Sequence, residues 1–179
     1  MAERQEKIIS RISSETSLVS GYLTYVGIAD IDAVLDLATK AYPQKILPGV
    51  IESLTFNKSC LQTGLDNGRK LFKREEDGRI VGVCGIQRKS EDPPGICWGS
   101  WFFIDPEKRG STLAFRMGAA LLATTKKLGY KTIYVDTTTN RSDYYNISPY
   151  LLKTGFALVG SIPDFYEHGV DMQFYSLNL

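Results

Sequence analysis

The sequence has little of the chemistry on which metal sites and covalent catalysis usually depend. Histidine occurs once, at His168, among 179 residues, and the three cysteines, Cys60, Cys84 and Cys97, form no Cys-x-x-Cys pair. A structural zinc site usually needs four such ligands at close spacing. The Gly-x-Ser-x-Gly motif of a serine nucleophile is also missing. We therefore predict no metal and no disulfide framework, with the cysteines as reduced thiols.

Excess charge and long apolar runs are missing as well. The 21 basic and 20 acidic side chains leave a net charge of +1, so the chain has no strong field to attract nucleic acid or an anionic membrane. No run approaches the ~18 apolar residues of a membrane span, and the N-terminus shows no apolar signal core. We expect a soluble, cytoplasmic protein without a nucleic-acid or membrane partner. The sequence does not decide whether it forms a homodimer.

The composition that remains is that of an ordinary globular protein. Hydrophobic residues make up 43% and charged residues 23% of the chain. A chain of this length can bury a substantial core without disulfides or structural metal ions to stabilise it. We predict a single domain over 21–179, preceded by an extension or short helix over 1–20.

Hydrophobic periodicity predicts the element order β-α-α-β-β-β-α-β-α-β-β. Asp30 and Ser148 precede helical patterns as candidate N-caps, and Asp77-Gly78 separates two strand-like runs, which is typical of a hairpin. The predicted strands cover 22–28, 70–73, 79–87, 96–104, 132–136, 157–161 and 172–177. Hairpins combined with two β-α-β crossovers favour an α/β (mixed α+β) fold, with a mixed sheet and helices on both faces.

The most informative segment joins the strand at 96–104 to the helix that begins near Leu113. A charged turn containing Lys108 and Arg109 leads into small residues at the start of the helix. This arrangement directs several backbone N–H groups and the positive end of the helix dipole to one point, which fits a pyrophosphate. The alternative is an ordinary solvated strand-to-helix turn that binds nothing.

The run at 109–114 resembles the acetyl-CoA motif of the GNAT N-acetyltransferases, Arg/Gln-x-x-Gly-x-Gly/Ala. Arg109 and Ala114 match, and Thr112 stands where glycine is usual. Further along, 153–156 resembles the family's Glu-Lys-x-Gly-Phe, while 135–137, Tyr144 and 162–166 are similar to one bacterial subgroup. The resemblance covers about 22–179 in the family's order.

The resemblance implies a GNAT-like, mostly antiparallel, splayed sheet and transfer of an acetyl group from acetyl-CoA to a primary amine by direct attack, without a metal. The acceptor would be a small molecule, an amino acid or a peptide. A non-catalytic acyl-CoA sensor and an interaction domain that does not bind CoA are the alternatives. The residues implied to bind acetyl-CoA are Phe102, Ile104, Arg109, Gly110, Ser111, Thr112, Leu113 and Ala114.

The family often uses a tyrosine as acid four residues before the glycine of its Gly-Phe, and here that position is Leu151. The candidate donors are therefore Tyr150 beside it and Tyr144 or Tyr145 in the preceding loop, or the thiolate leaves without an acid. Asp136, at the end of its strand, is the candidate base, with a loop-capping role as the alternative.

The subgroup places a turn with Tyr166, Glu167 and His168 near the acceptor cleft. Packing for Tyr166 and an inert surface position for His168 are the alternatives. In the aromatic run at 98–103, alternation predicts Trp101 and Phe103 on one face and Phe102 on the other. Most of these rings are expected in the core, and one face could border a pocket for an apolar or aromatic acceptor.

Overall fold

The computed structural model describes residues 21–139 and 147–179. In these two segments, eight strands form one sheet in the order β1-β2-β3-β4-β6-β8-β7, with β5 paired to β3. All strand pairs are antiparallel except β4 with β6, so the sheet is mixed and mostly antiparallel as predicted. The strands are β1 (Thr24–Tyr25), β2 (Arg69–Glu76), β3 (Arg79–Gln87), β4 (Ile96–Gly99), β5 (Phe103–Ile104), β6 (Thr132–Thr138), β7 (Ala157–Glu167) and β8 (Val170–Asn178).

Within the described residues, four α-helices cover the two faces of this sheet, again as predicted: α1 (Ile31–Ala41), α2 (Leu47–Thr63), α3 (Leu113–Lys127) and α4 (Ser148–Lys153). On one face, α1 and α2 enclose a core with Leu54, Leu71 and Val83. On the other, α3 and α4 enclose Met117 and Leu151. The predicted extension at 1–20 lies outside the described residues, and the assignment of 21–179 to one domain stays a prediction.

The two helices begin where expected, but neither predicted N-cap side chain makes the capping hydrogen bond. Asp30 makes no cap bond to α1, because its carboxylate accepts a hydrogen bond from Gly27 N at 2.8 Å and pairs with Lys73 Nζ at 2.7 Å. Ser148 lies inside α4, and its hydroxyl bonds to Gln173 Oε1 at 3.1 Å. Tertiary partners have thus taken over the side chains that local capping would use.

The hairpin predicted at Asp77-Gly78 is confirmed. Both residues have positive φ, 51° and 72°, as a tight turn between twisted strands requires. The first strand is much shorter than the predicted 22–28, because only β1 pairs with β2 and a 3-10 turn at Ile28–Asp30 follows.

The predicted strand over 96–104 is in fact two strands, and the break between them shapes the site. β4 pairs with β3 through Gly99 and with β6 through Trp98. The chain then shifts, with Ser100 N donating to Gly85 O at 2.8 Å, before β5 resumes pairing with β3. Such an irregularity bends a strand and can end its pairing; here the pairing with β3 resumes in β5, whereas the pairing with β6 does not.

Candidate functional site

A gap opens in the sheet beyond the last pair of β4 with β6, Trp98 with Tyr134. From there β5 stays with β3, whereas β6 continues from Val135 to Thr138 paired with β8. In the described chain, β5 and this half of β6 share no ladder. The gap therefore has unpaired strand edges on both sides, to which an extended polar ligand can hydrogen-bond.

Ile104 faces this gap with its backbone. The next N–H along the chain, that of Asp105, donates to Val81 O at 2.8 Å. Because successive N–H groups of a strand point to opposite sides, the Ile104 N–H points away from β3 and into the gap. Its side chain packs toward Met117 on the α3 side. The carbonyl of Phe102 accepts a hydrogen bond from Tyr42 Oη at 3.2 Å.

The loop before α3 presents backbone donors at the end of the gap. The Ser111 hydroxyl donates to Lys108 O at 2.6 Å and accepts from Leu113 N at 3.2 Å, so serine caps the helix. Within the described residues, the N–H groups of Thr112 and Ala114 make no hydrogen bond, and Gly110 is exposed with φ of 77°. These donors and the helix dipole fit a phosphate.

Thr112 stands where the family has glycine, yet its backbone does not require one. Its φ and ψ are −77° and −1°, in the right-handed helical region that any residue adopts. The side chain is exposed. Of the six predicted loop residues, Leu113 is buried, so its side chain belongs to the core and only its backbone remains at the site.

The two cations before the loop bond to the protein itself. Arg109 Nη2 donates to Ala41 O, the last carbonyl of α1, at 2.6 Å. Lys108 Nζ lies 2.8 Å from Glu76 Oε2, and this hydrogen-bonded pair raises the pKa of Lys108 and lowers that of Glu76. Both contacts hold the loop against α1 and β2. A contact of Arg109 with a phosphate stays a prediction.

Tyr150 lies between α4 and α3 rather than along the unpaired strands. Its hydroxyl donates to Ala114 O at 3.3 Å, and burial raises the pKa of the phenol to about 12. Leu151, at the usual tyrosine position, is buried in the core. Tyr150 is thus protonated at neutral pH and reaches the first turn of α3. Its role as acid stays a prediction, and Tyr144 lies outside the described residues.

Asp136 lies on β6 in the half of that strand that borders the gap and pairs only with β8. Its carboxylate is exposed on one side but surrounded by protein on the others, and the resulting desolvation raises its pKa. A backbone hydrogen bond and the charge of Lys89 oppose this effect in part. An aspartate with a raised pKa beside the gap is suited to accept a proton, although its catalytic role stays a prediction.

The three predicted acceptor residues lie together at the tip of the β7–β8 hairpin. Glu167 Oε2 forms an ion pair of 2.6 Å with Lys45 Nζ, in the connection between α1 and α2. Tyr166 packs edge-on against Phe165 with ring centroids 5.0 Å apart. His168 is fully exposed, with Nδ1 3.6 Å from Asp164 Oδ1. The hairpin tip is thereby tied to the α1–α2 side of the sheet.

The aromatic run is distributed as alternation predicted. Trp101 and Phe103 pack on the α1–α2 side, and Phe102 packs on the α3 side. The sequence did not indicate that Trp98 would meet Tyr134 and Phe174 on one face, with ring centroids 5.2 and 6.4 Å from that of Trp98. Only the strand register brings these three rings together.

Among the described residues, no group of three or more His, Cys, Asp or Glu could hold a metal ion. All three cysteines are buried and unpaired; burial raises the pKa of Cys97 to about 12 and that of Cys84 further. No described helix is long and apolar enough to cross a membrane.

Comparison with solved structures identifies the fold. A GNAT-family acetyltransferase from Desulfovibrio desulfuricans, described as putative, superposes with a TM-score of 0.74 at 17% identity, covering 87% of this chain and 97% of that one. An aminoglycoside 6'-N-acetyltransferase complexed with coenzyme A gives 0.68 at 12% identity, covering 87% and 96%. PaiA N-acetyltransferase from Thermoplasma acidophilum, in complex with coenzyme A, gives 0.65 at 14% identity, covering 88% and 98%.

No curated protein sequence matches the chain significantly. The family model for the acetyltransferase (GNAT) family matches residues 31–146, which include the splayed strands and the loop before α3. The chain therefore belongs to the GNAT acetyltransferase family.

Proposed function

We propose that this protein transfers an acetyl group from acetyl-CoA to a primary amine. The observation that carries the proposal is the gap between β5 and β6, at whose end the N-terminus of α3 presents unpaired N–H groups. An extended pantetheine could pair with the strand edges, and its pyrophosphate could meet the loop donors. The coenzyme A complexes of two similar structures support this assignment.

Several groups of this chain would contribute to binding and polarisation. The N–H groups of Thr112 and Ala114 would contact the pyrophosphate, while Ser111 holds the first turn of α3 in place. The Ile104 N–H would donate to the thioester carbonyl, where negative charge develops during attack. Because this N–H is fixed by the β3–β5 pairing, it needs no reorganisation when the charge appears.

The proton balance involves Asp136. The acceptor must lose a proton to become a nucleophile, and the Asp136 carboxylate would receive it directly or through water. The amine nitrogen then bonds to the carbonyl carbon, the carbon–sulfur bond breaks, coenzyme A leaves as the thiolate, and the nitrogen loses its second proton to solvent. Tyr150, Tyr144 or solvent would protonate that thiolate.

Calorimetry with acetyl-CoA and desulfo-CoA, followed by thiol release with a panel of amines, tests the proposal. We expect binding of both nucleotides and thiol release that depends on the amine. Absence of acetyl-CoA binding would overturn the proposal. Because the Thr112 backbone already has ordinary helical angles, Thr112→Gly tests whether the threonine side chain hinders binding of the phosphate. We expect this variant to bind acetyl-CoA equally or more tightly.

A non-catalytic acyl-CoA sensor is the second candidate, favoured by one observation. Leu151 is buried at the usual tyrosine position, and the Tyr150 hydroxyl is engaged by Ala114 O. Binding of acetyl-CoA without turnover of any amine would support this function. Product formation identified by mass spectrometry, with a rate that follows amine concentration, would exclude it.

A further inference from the structure

Three aromatic side chains form a continuous patch on one face of the sheet. Trp98 of β4, Tyr134 of β6 and Phe174 of β8 lie on adjacent strands; the Trp98 ring is tilted by 33° against Tyr134 and stands at 79° to Phe174. The register places Trp98 opposite Tyr134, so both side chains point to the same face. We call these three residues the aromatic floor.

The aromatic floor is not covered by a described helix. Its three rings are not part of either helix-covered core, and they are not among the partly buried side chains that pack against those cores. Each ring is partly exposed. Cross-strand pairing explains the contacts between the rings, but it does not explain why three large rings on adjacent strands stay partly exposed. A contiguous aromatic patch that is partly exposed leaves ring surface for a ligand to cover.

The aromatic floor ends beside the reaction site. Asp136 follows Tyr134 by two residues on β6 and lies directly opposite Phe174, so its carboxylate is on the same face. Successive side chains on one face of a strand are about 7 Å apart. A ring on the floor and an amine at Asp136 can therefore belong to one small molecule with a short alkyl linker.

The charges near the floor agree with this orientation. Lys89 Nζ lies 4.6 Å from the Trp98 ring centroid, so a cation of the protein already lies at the Trp98 end of the floor; the same charge also acts on Asp136. An acceptor with a second positive charge on its ring side would meet Lys89. An uncharged ring fits that end, and the ammonium fits the carboxylate end.

We propose that the acceptor is an aromatic monoamine whose ring stacks on Trp98, Tyr134 and Phe174 while its nitrogen lies at Asp136. This inference rests on the proposed function, because it names the acceptor class of the same site. It excludes polyamines and strongly polar amines as preferred acceptors, since these would leave the apolar surface in contact with charged groups.

The kinetic test compares 2-phenylethylamine with propylamine and spermidine at saturating acetyl-CoA. We expect kcat/KM for 2-phenylethylamine to exceed that for propylamine about tenfold or more. Tyr134→Leu and Phe174→Leu should each lower it about three- to tenfold, and by a larger factor than they lower kcat/KM for propylamine. Tyr25→Leu, an exposed aromatic at the opposite sheet edge that contacts Phe72, is the matched control and should change neither. Equal kcat/KM for the two monoamines, or a preference for spermidine, would overturn the inference.

A binding measurement separates failure of this inference from failure of the proposed function. Trp98 and Trp101 are the two tryptophans of the chain, so in Trp101→Phe the fluorescence reports on Trp98. Without acetyl-CoA, 2-phenylethylamine should quench this signal at lower concentration than propylamine does. If acetyl-CoA does not bind but 2-phenylethylamine quenches selectively, the proposed acetyl transfer is rejected, whereas binding of an aromatic amine at the aromatic floor is retained. If acetyl-CoA binds but the two amines quench equally, only the assignment of an aromatic acceptor is rejected.

Discussion

At the scale of single residues, the most constrained contact in the site region lies between two helices. Gly118 is in the middle of α3, where the Cβ of any other residue would collide with the Tyr150 hydroxyl oxygen. The same hydroxyl bonds to Ala114 O. Glycine is therefore needed for close approach and not for backbone angles, and it allows Tyr150 to reach the first turn of α3.

Gly118→Ala is expected to destabilise the protein, although alanine in an exposed helix usually stabilises by about 0.5–1 kcal/mol relative to glycine. The methyl group would displace the Tyr150 ring. Adding Tyr150→Phe removes the clashing oxygen and should recover part of the loss. Urea unfolding of both single variants and the double variant measures the coupling; additive effects would contradict the contact.

Asp136 illustrates a conflict between stability and function. Because its folded pKa is raised, the folded state binds a proton more readily than the unfolded state does. The ionised carboxylate therefore disfavours folding once the pH exceeds the pKa of about 4 that Asp136 has in the unfolded chain. The effect is complete above the raised pKa of the folded state. Asp136→Asn should raise Tm at neutral pH, with a smaller gain near pH 3.

The same substitution should reduce acetyl transfer if Asp136 is the base. In the wild type, kcat/KM should decline in acid with an inflection above the usual aspartate pKa of about 4, and this limb should disappear in Asp136→Asn. Binding of acetyl-CoA should be unchanged. A variant that retains the wild-type pH profile would leave Asp136 as a structural residue.

At the scale of elements, the start of α3 depends on one hydroxyl. Ser111 bonds to both Lys108 O and Leu113 N, whereas Thr112 at the N-cap position makes no cap bond. The cap fixes the turn from which the free N–H groups project. Stability of the helix and geometry of the phosphate site are therefore coupled through Ser111.

Ser111→Ala should lower the free energy of unfolding by about 1 kcal/mol and weaken acetyl-CoA binding. Ser59→Ala is the matched control, because the Ser59 hydroxyl bonds to Thr55 O, an acceptor within the same helix, and alanine favours a helix interior. The control should leave binding unchanged. Chemical denaturation and calorimetry measure the two effects; equal behaviour of both variants would exclude the cap.

The β7–β8 hairpin is held across the sheet by an exposed ion pair, Lys45 with Glu167. Such a pair contributes well under about 1 kcal/mol to stability, but it restricts where the hairpin tip lies. Glu167→Gln should raise KM for the amine with little change in Tm or acetyl-CoA affinity. Charge exchange in Lys45→Glu/Glu167→Lys should restore KM in part; no change in KM for Glu167→Gln would exclude this role.

At the scale of the whole molecule, the sheet is two arms that meet at β4. One arm contains β1 to β3 and the other contains β6, β8 and β7. On one face α1 and α2 pack on the first arm, while on the other face α3 packs on strands of both arms. β4 joins them through two pairs with β3 and three with β6. The site lies where this junction ends, so it needs both arms in place.

A partly buried ion pair in the first arm makes stability depend on pH. Bonding to Lys73 lowers the pKa of Asp30, and the same bond raises the pKa of Lys73. The Asp30 contribution is present above its unfolded pKa of about 3.9 and is lost as pH falls through the lowered folded value. The Lys73 contribution is present below about 10.4 and is lost as pH rises through its raised value.

Asp30→Asn should therefore lower the free energy of unfolding at pH 7, and its difference from the wild type should shrink in strong acid. Urea titrations across the pH range measure this convergence. Lys58→Met is the control, because its partner Asp32 is largely exposed and the exposed pair contributes little. A constant difference between Asp30→Asn and wild type at all pH values would contradict the assignment.

Much of the architecture follows from local patterns in the sequence. Apart from the break within 96–104, the order of elements was predicted, as were the hairpin at Asp77-Gly78 and the faces of Trp101, Phe102 and Phe103, because periodicity and turn chemistry act between residues close along the chain. Capping was mispredicted at Asp30 and Ser148, where distant partners, Lys73 and Gln173, compete for the side chains.

The sequence by itself determined the family and the loop that opens α3, since these depend on residue types at short, fixed spacing. Only the tertiary structure decided where β4 breaks from β5, and hence where the gap opens. It also decided that Trp98, Tyr134, Phe174 and Asp136 share one face. Their meeting depends on the register between strands up to about 80 residues apart in the chain, and no local pattern specifies that register.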